Sequence, residues 1–129
     1  MSPEKLVLSP LRKALGSLEA ALRIPEVDDI VRDATIQRFE YTYELARKML
    51  ERHLVWLGEE GGLGKRTLYR RASELGIVGD AEAWIGYNYA RNTTSHTYNE
   101  SKAQEVYEAA RAFAVDARRL LDTLAQIHD

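Results

Sequence analysis

The segment Arg91-Asn92-Thr93-Thr94-Ser95-His96-Thr97-Tyr98 carries the densest set of chemically useful side chains in the chain. An imidazole, whose ordinary pKa is about 6.5, can accept or donate a proton at neutral pH. A guanidinium can hold a phosphate through two parallel hydrogen bonds. Together they are what cleavage of a phosphodiester without a metal requires. A base takes the ribose 2′-OH proton, and a cation stabilises the charged phosphorane. In a straight helix Arg91 and His96 would point about 140° apart, at ~3.6 residues per turn. They converge only if the helix kinks or stops between them, and the polar, β-branched insert Thr93-Thr94-Ser95 favours such a break. An arginine and a histidine at a helix end are also ordinary caps, so spacing alone leaves both readings open.

Other candidates are weaker. Gly58, Gly61, Gly62 and Gly64 precede Lys65 and superficially match a phosphate-binding loop. The match fails on three counts: Arg66 stands where Ser or Thr is needed, Glu59 where the first glycine belongs, and a helical pattern precedes the loop where a strand should. Lys65, Arg66, Arg70 and Arg71 form a basic cluster around Tyr69, with no acid from Gly61 to Ser73. It suits phosphate contact or a solvated helix face equally well. His53, His96 and His128 lack metal-ligand spacing, so no metal or other cofactor is expected. His53 reads as a packed or surface residue of a long helix, and His128 as mobile near the chain end.

The elements that must position these groups are helical. Leu8, Leu11, Leu15, Leu18 and Leu22 step by 3 and 4, one face of a first helix that Pro10 can open and Pro25 ends. A second, long helix is expected over residues 28–57, capped by Asp28 or Asp29. Its expected inward stripes are Ile30-Ala34-Tyr41-Leu45-Met49 and Phe39-Ala46-Leu50-Leu57. Asp33, Gln37, Glu40, Glu44, Lys48 and Glu51 would form its polar face, with Glu44 and Lys48 an i,i+4 pair. A short helix follows over 67–75, stopped by Gly76, and a fourth from an Asp80 cap to about 92. Thr97 and Glu100 have capping-box spacing for a last helix, whose stripe is Val106, Ala110, Phe113, Ala117, Leu120, Leu121 and Leu124. No run alternates with period two, and no hairpin dipeptide occurs. The expected fold is all-α, an antiparallel up-down four-helix bundle with one additional short helix, as one domain over 1–129.

Composition narrows the function classes. The 129 residues are 45% hydrophobic and 29% charged, a balance that builds a core rather than a disordered chain. With no cysteine, disulfides, thiolate metal sites and a cysteine nucleophile are excluded. A formal charge of -2 excludes a basic nucleic-acid coat but not a focused site. No apolar run approaches the ~20 residues of a membrane span, and the start lacks a signal-peptide core. A cytoplasmic, non-membrane protein is expected.

Two signatures in order resemble one family. Ile36-Gln37-Arg38-Phe39-Glu40-Tyr41-Thr42-Tyr43-Glu44-Leu45-Ala46 looks like the long-helix signature of the HepT-like branch of the HEPN superfamily, also described as nucleotidyltransferase substrate-binding proteins. Arg91-Asn92-x-x-Ser95-His96-Thr97-Tyr98 looks like its site segment, and the likeness runs from the first helix to the last. The resemblance implies a homodimeric helix bundle, commonly encoded with a minimal nucleotidyltransferase (MNT-type) antitoxin. It implies metal-independent RNA cleavage, with Arg91 on the scissile phosphate, His96 as general acid-base and Asn92 positioning the pair. Tyr98 matches the tyrosine whose adenylylation by the partner blocks such toxins. The same branch also admits a non-catalytic subunit that holds a nucleotidyltransferase's substrate. One departure is Arg47, where the branch often has tryptophan; it lies outside the Arg-His pair.

Overall fold

The computed structural model describes residues 4–129. It contains five α-helices, and no strand occurs among the described residues: α1 (Ser9–Leu22), α2 (Asp29–Trp56), α3 (Lys65–Glu74), α4 (Ala81–Thr93) and α5 (Glu100–His128). A 3₁₀ turn, Thr94–His96, follows α4 directly.

Local chemistry sets the helix ends. Asp28 caps α2 by accepting from the Val31 N–H at 2.8 Å, and Asp80 caps α4 by accepting from Glu82 at 2.9 Å. Pro10 sits in the first turn of α1, where its missing N–H costs nothing. The α2 and α3 C-termini close in the same way. Gly58 and Gly76 take positive φ, and the residue after each donates to a carbonyl of the last turn, Glu59 to Leu54 and Ile77 to Ala72, both at 2.9 Å. The expected capping box at Thr97 is not formed. Its hydroxyl donates to the Thr94 carbonyl at 3.1 Å and closes the 3₁₀ turn, so the cap of α5 passes to Asn99, which accepts from Lys102.

The long helices alternate in direction, with α2 and α5 packed along each other at the centre. Arg32 meets Glu100 near the starts of both, and His53 meets His128 near their ends, so these two run the same way. α1 lies against α2 and α5, α4 against α5 and α2, and α3 against α4. This is the expected up-down bundle with one short extra helix. Phe113 of α5 is wholly buried at its middle, with ring centroids 5.3 Å from Phe39, 6.0 Å from Tyr43, 5.8 Å from Trp84 and 5.4 Å from Tyr87. The predicted α5 stripe is buried at every position.

The predicted α2 stripes are partly wrong. Ile30 is 79% exposed, and Tyr41 and Leu57 are exposed as well. The buried face runs through Thr35, Ile36, Phe39, Thr42, Tyr43, Ala46, Met49, Leu50, His53 and Leu54. That is an unbroken 3- and 4-step series once threonine is allowed on it. Thr35 is accommodated because its hydroxyl donates back to the Val31 carbonyl at 2.8 Å. Glu44 does not face Lys48 as an ion pair either; Arg47 and Arg91 take it.

His128 is not a mobile end residue: it is 7% exposed and bonded on both ring nitrogens. The Leu6 N–H donates to its Nδ1 at 3.0 Å, so the proton of neutral His128 sits on Nε2, 2.9 Å from His53 Nδ1. Trp56 lies flat on His53 and edge-on to His128. Burial lowers both imidazole pKa values; the neighbouring His128 adds to this at His53 and Lys5 at His128, while Asp129 opposes it. A lowered folded-state pKa means that the unfolded chain binds more protons, so stability falls as pH drops below the ordinary value of about 6.5. Melting temperature followed by circular dichroism should therefore decline from pH 7 to pH 5. A His53→Gln, His128→Gln variant should lose most of that slope; an equal slope in both proteins would contradict the assignment.

Candidate functional site

The break demanded by the Arg91–His96 spacing is present. α4 ends at Thr93, and residues 94–96 tighten into the 3₁₀ turn. The Thr94 hydroxyl donates to the Arg91 carbonyl at 2.8 Å, which supplies a helix-end group with a partner. His96 therefore leaves the α4 surface, and its imidazole is exposed, 6.3 Å from the Tyr98 ring. Tyr98 is 88% exposed, the most open of the large hydrophobic side chains among the described residues. Arg32 fixes the chain just beyond it: its guanidinium grips both Glu100 oxygens, at 2.7 and 3.2 Å. This contact holds the Glu100 carboxyl below its usual range.

Arg91 turns the other way, toward α2. Its side chain keeps 29% exposure while Nη2 lies 3.4 Å from Glu40 and Nε 3.3 Å from Glu44. Nη1 reaches the Thr94 hydroxyl at 3.4 Å. An open cleft of about 560 Å³ lies on this face, with Arg91, Glu40, Glu44 and Lys48 on its walls. The two carboxylates hold the guanidinium half out of solvent, extended along α2. Arg47 bears on this arrangement at one remove. It spans Glu44 at 3.0 Å and Glu51 at 2.6 Å, so the position that departs from the family pattern orients a carboxylate on Arg91.

Glu40 and Glu44 read from the sequence as a solvated face, and Arg32 as nothing in particular. A signal did exist: Glu40 and Glu44 are one helical turn apart on the line beside the buried Phe39 and Tyr43. What it lacked was the identity of the opposing helix.

The remaining site residues are dispersed. Asn92, next to Arg91 on α4, lies on the adjoining face and lines a second, smaller cleft with Lys65 and Arg66 of α3. The basic cluster divides. Arg71 is taken up by Glu59 and by Glu74 at 3.1 Å, and Arg70 lies 3.8 Å from Glu82. Glu74 is a same-helix neighbour of Arg71, whereas Glu59 and Glu82 reach the cluster from outside α3. His53 pairs with His128 inside the bundle, away from this end.

The fold is an all-helical bundle whose fourth helix runs into the Thr94–His96 turn, with Tyr98 exposed just beyond it. The chain belongs to the family described as nucleotidyltransferase substrate binding protein like, whose model matches residues 6–126. A Haemophilus influenzae protein named probable ribonuclease HepT is 34% identical, over 98% of this chain and 97% of that protein. A solved Haemophilus influenzae structure, described as revealing the fold of a substrate binding domain of a nucleotidyltransferase, superposes with a TM-score of 0.85 at 33% identity. It covers 93% of this chain and 100% of its own. A Thermus thermophilus crystal structure gives 0.82 at 32% identity, over 88% of this chain and 98% of its own. Among the described residues no helix is long and apolar enough to cross a membrane.

Proposed function

We propose that the protein is a metal-independent endoribonuclease of the HepT kind, the toxin of a pair whose other member is a minimal nucleotidyltransferase. The observation that carries this reading is the break after Thr93, which leaves His96 free in solvent and Arg91 half open at the edge of a cleft. In the proposed reaction His96 takes the proton from a ribose 2′-OH. The 2′ oxygen attacks the adjacent phosphorus, and the bond to the 5′ oxygen breaks. The products are a 2′,3′-cyclic phosphate and a 5′-hydroxyl, whose oxygen takes the proton back from His96. Arg91 balances the charge that builds on the phosphorane, and Asn92 positions the Arg91–His96 pair. His96 is not among the residues that line the Arg91 cleft, and the proposed enzyme is therefore a homodimer in which a second copy completes the groove.

Purified protein incubated with RNA in EDTA should cleave it, and His96→Ala should slow cleavage by about 10²–10⁴-fold. Intact RNA with wild type would reject the ribonuclease reading. One observation favours a second one: Glu40 and Glu44 already occupy the Arg91 guanidinium. A non-catalytic subunit that presents substrate to a nucleotidyltransferase would keep Arg91 in this structural role, and would bind the partner without cleaving RNA.

Regulation by the partner follows from Tyr98. Its phenolic oxygen would attack the α-phosphorus of ATP, releasing pyrophosphate and leaving an adenylyl ester. This places bulk and negative charge beside a phosphate site. Incubation with the partner enzyme, ATP and Mg²⁺ should add one adenylyl mass to wild type and none to Tyr98→Phe. Tyr41 and Tyr89 are also exposed, so a gain retained by Tyr98→Phe would move the modification elsewhere.

A further inference from the structure

Between α3 and α4 lies a recess of about 140 Å³, lined by Lys65, Arg66, Tyr69, Asn88, Tyr89 and Asn92. It is far below the ~300–1,000 Å³ of a pocket for a drug-sized molecule, and suits one planar group. We propose that this recess is a subsite for a single unpaired RNA nucleotide next to the scissile one, with Tyr89 stacking on its base, Asn88 reading the base edge and Lys65 and Arg66 holding its phosphate. The proposal rests on the ribonuclease reading and adds to it where the RNA strand runs.

Each wall supplies one part of nucleotide chemistry. Tyr89 is 64% exposed, although helix α4 buries Trp84 and Tyr87 nearby. An open aromatic face is the platform on which single-stranded bases stack. Among the described residues Lys65 and Arg66 have no carboxylate within ion-pair distance, whereas Arg70 and Arg71 do. They are the two members of the basic cluster left free for a phosphate.

Asn88 is fixed in direction. The wholly buried Tyr43 donates its hydroxyl proton to Asn88 Oδ1 at 3.0 Å, and Tyr69 hydrogen-bonds Tyr43 in turn. With the amide oxygen taken, Asn88 offers its NH₂ group, a donor pair. The subsite should therefore prefer a base edge that presents acceptors.

The recess also lies in the right place. Arg91 and Asn92 are consecutive on α4, with Arg91 turned to α2 and Asn92 to α3. A strand crossing the end of α4 would set one phosphate by Arg91 and a neighbouring nucleotide in the recess.

The test is fluorescence anisotropy in EDTA with labelled oligo-A, oligo-C, oligo-G and oligo-U ribonucleotides. His96→Ala protein serves as the parent so that the probe stays whole. Tyr89→Ala should weaken binding about tenfold or more, and Tyr89→Phe should restore it. Lys65→Ala, Arg66→Ala should weaken all four probes and flatten the salt dependence. Asn88→Asp keeps an acceptor for Tyr43 but loses the donors, and should change the order of preference among the four. Circular dichroism checks that each variant is folded. If the parent binds RNA and these surface variants bind it equally well, the subsite is overturned while the ribonuclease reading stands. If the parent binds no RNA and wild type cleaves none, both fall together.

Discussion

Arg91→Ala should slow RNA cleavage severely while leaving the fold almost intact. The rate should fall by about 10²–10³-fold or more, the scale seen when one group stabilising an anionic transition state is removed. The melting temperature should barely move. The ion pairs to Glu40 and Glu44 are 3.3–3.4 Å long and partly solvated, and such pairs contribute roughly 0–1 kcal/mol each. The carboxylates left behind are 40% and 32% exposed and can hydrate. Their mutual repulsion across one helical turn costs only a few tenths of a kcal/mol. Arg91→Lys tests the geometry separately: it keeps the charge but loses the planar fork, so it should recover a small part of the activity. The measurements are single-turnover cleavage in EDTA and thermal melts on the same preparations. Full activity in Arg91→Ala would remove Arg91 from the reaction and return it to a structural contact with α2.

The helices and the site turn were legible because they rest on local signals. The leucine series of α1, the apolar stripe of α5, the Asp28 and Asp80 caps and the weak helix formers after Asn92 each act within a few residues. The expectations that the structure overturns depended on partners distant in sequence. α2 is pressed on by α1, α4 and α5, so its buried face includes Thr35, Thr42 and His53, which a search for apolar residues passes over. His128 looked free because Leu6 and His53, its two partners, lie 122 and 75 residues away. Glu40 and Glu44 looked solvated for the same reason. Capping failed on a finer point. Thr97 has the right type and spacing, but the 3₁₀ turn had already engaged its hydroxyl, and Asn99 was next in line.

Phe113→Ala should be the most damaging substitution in the core, costing about 3–5 kcal/mol. Whole-domain stabilities are about 5–15 kcal/mol, so a large share of the total would go. Phe113 joins the helices that bear the site: Phe39 and Tyr43 reach it from α2, Trp84 and Tyr87 from α4. All four contacts are edge-to-face, three at 78–80° and that of Tyr43 at 62°, an arrangement that adds to simple burial. Truncation leaves a cavity at the junction of α2, α4 and α5, where no single helix can move to close it without disturbing the other two. Phe113→Leu, which fills most of the space, should cost distinctly less. Urea unfolding at pH 7.5 gives the stabilities, and cleavage across a temperature series gives the functional consequence. Loss of activity in Phe113→Ala should follow the folded fraction and recover on cooling or in a stabilising osmolyte. Loss in Arg91→Ala should persist in fully folded protein. The two variants thereby separate the framework that sets α4 against α2 from the guanidinium that α4 carries. If Phe113→Ala remains folded and yet inactive under stabilising conditions, the aromatic junction holds the site's geometry as well as the bundle's stability.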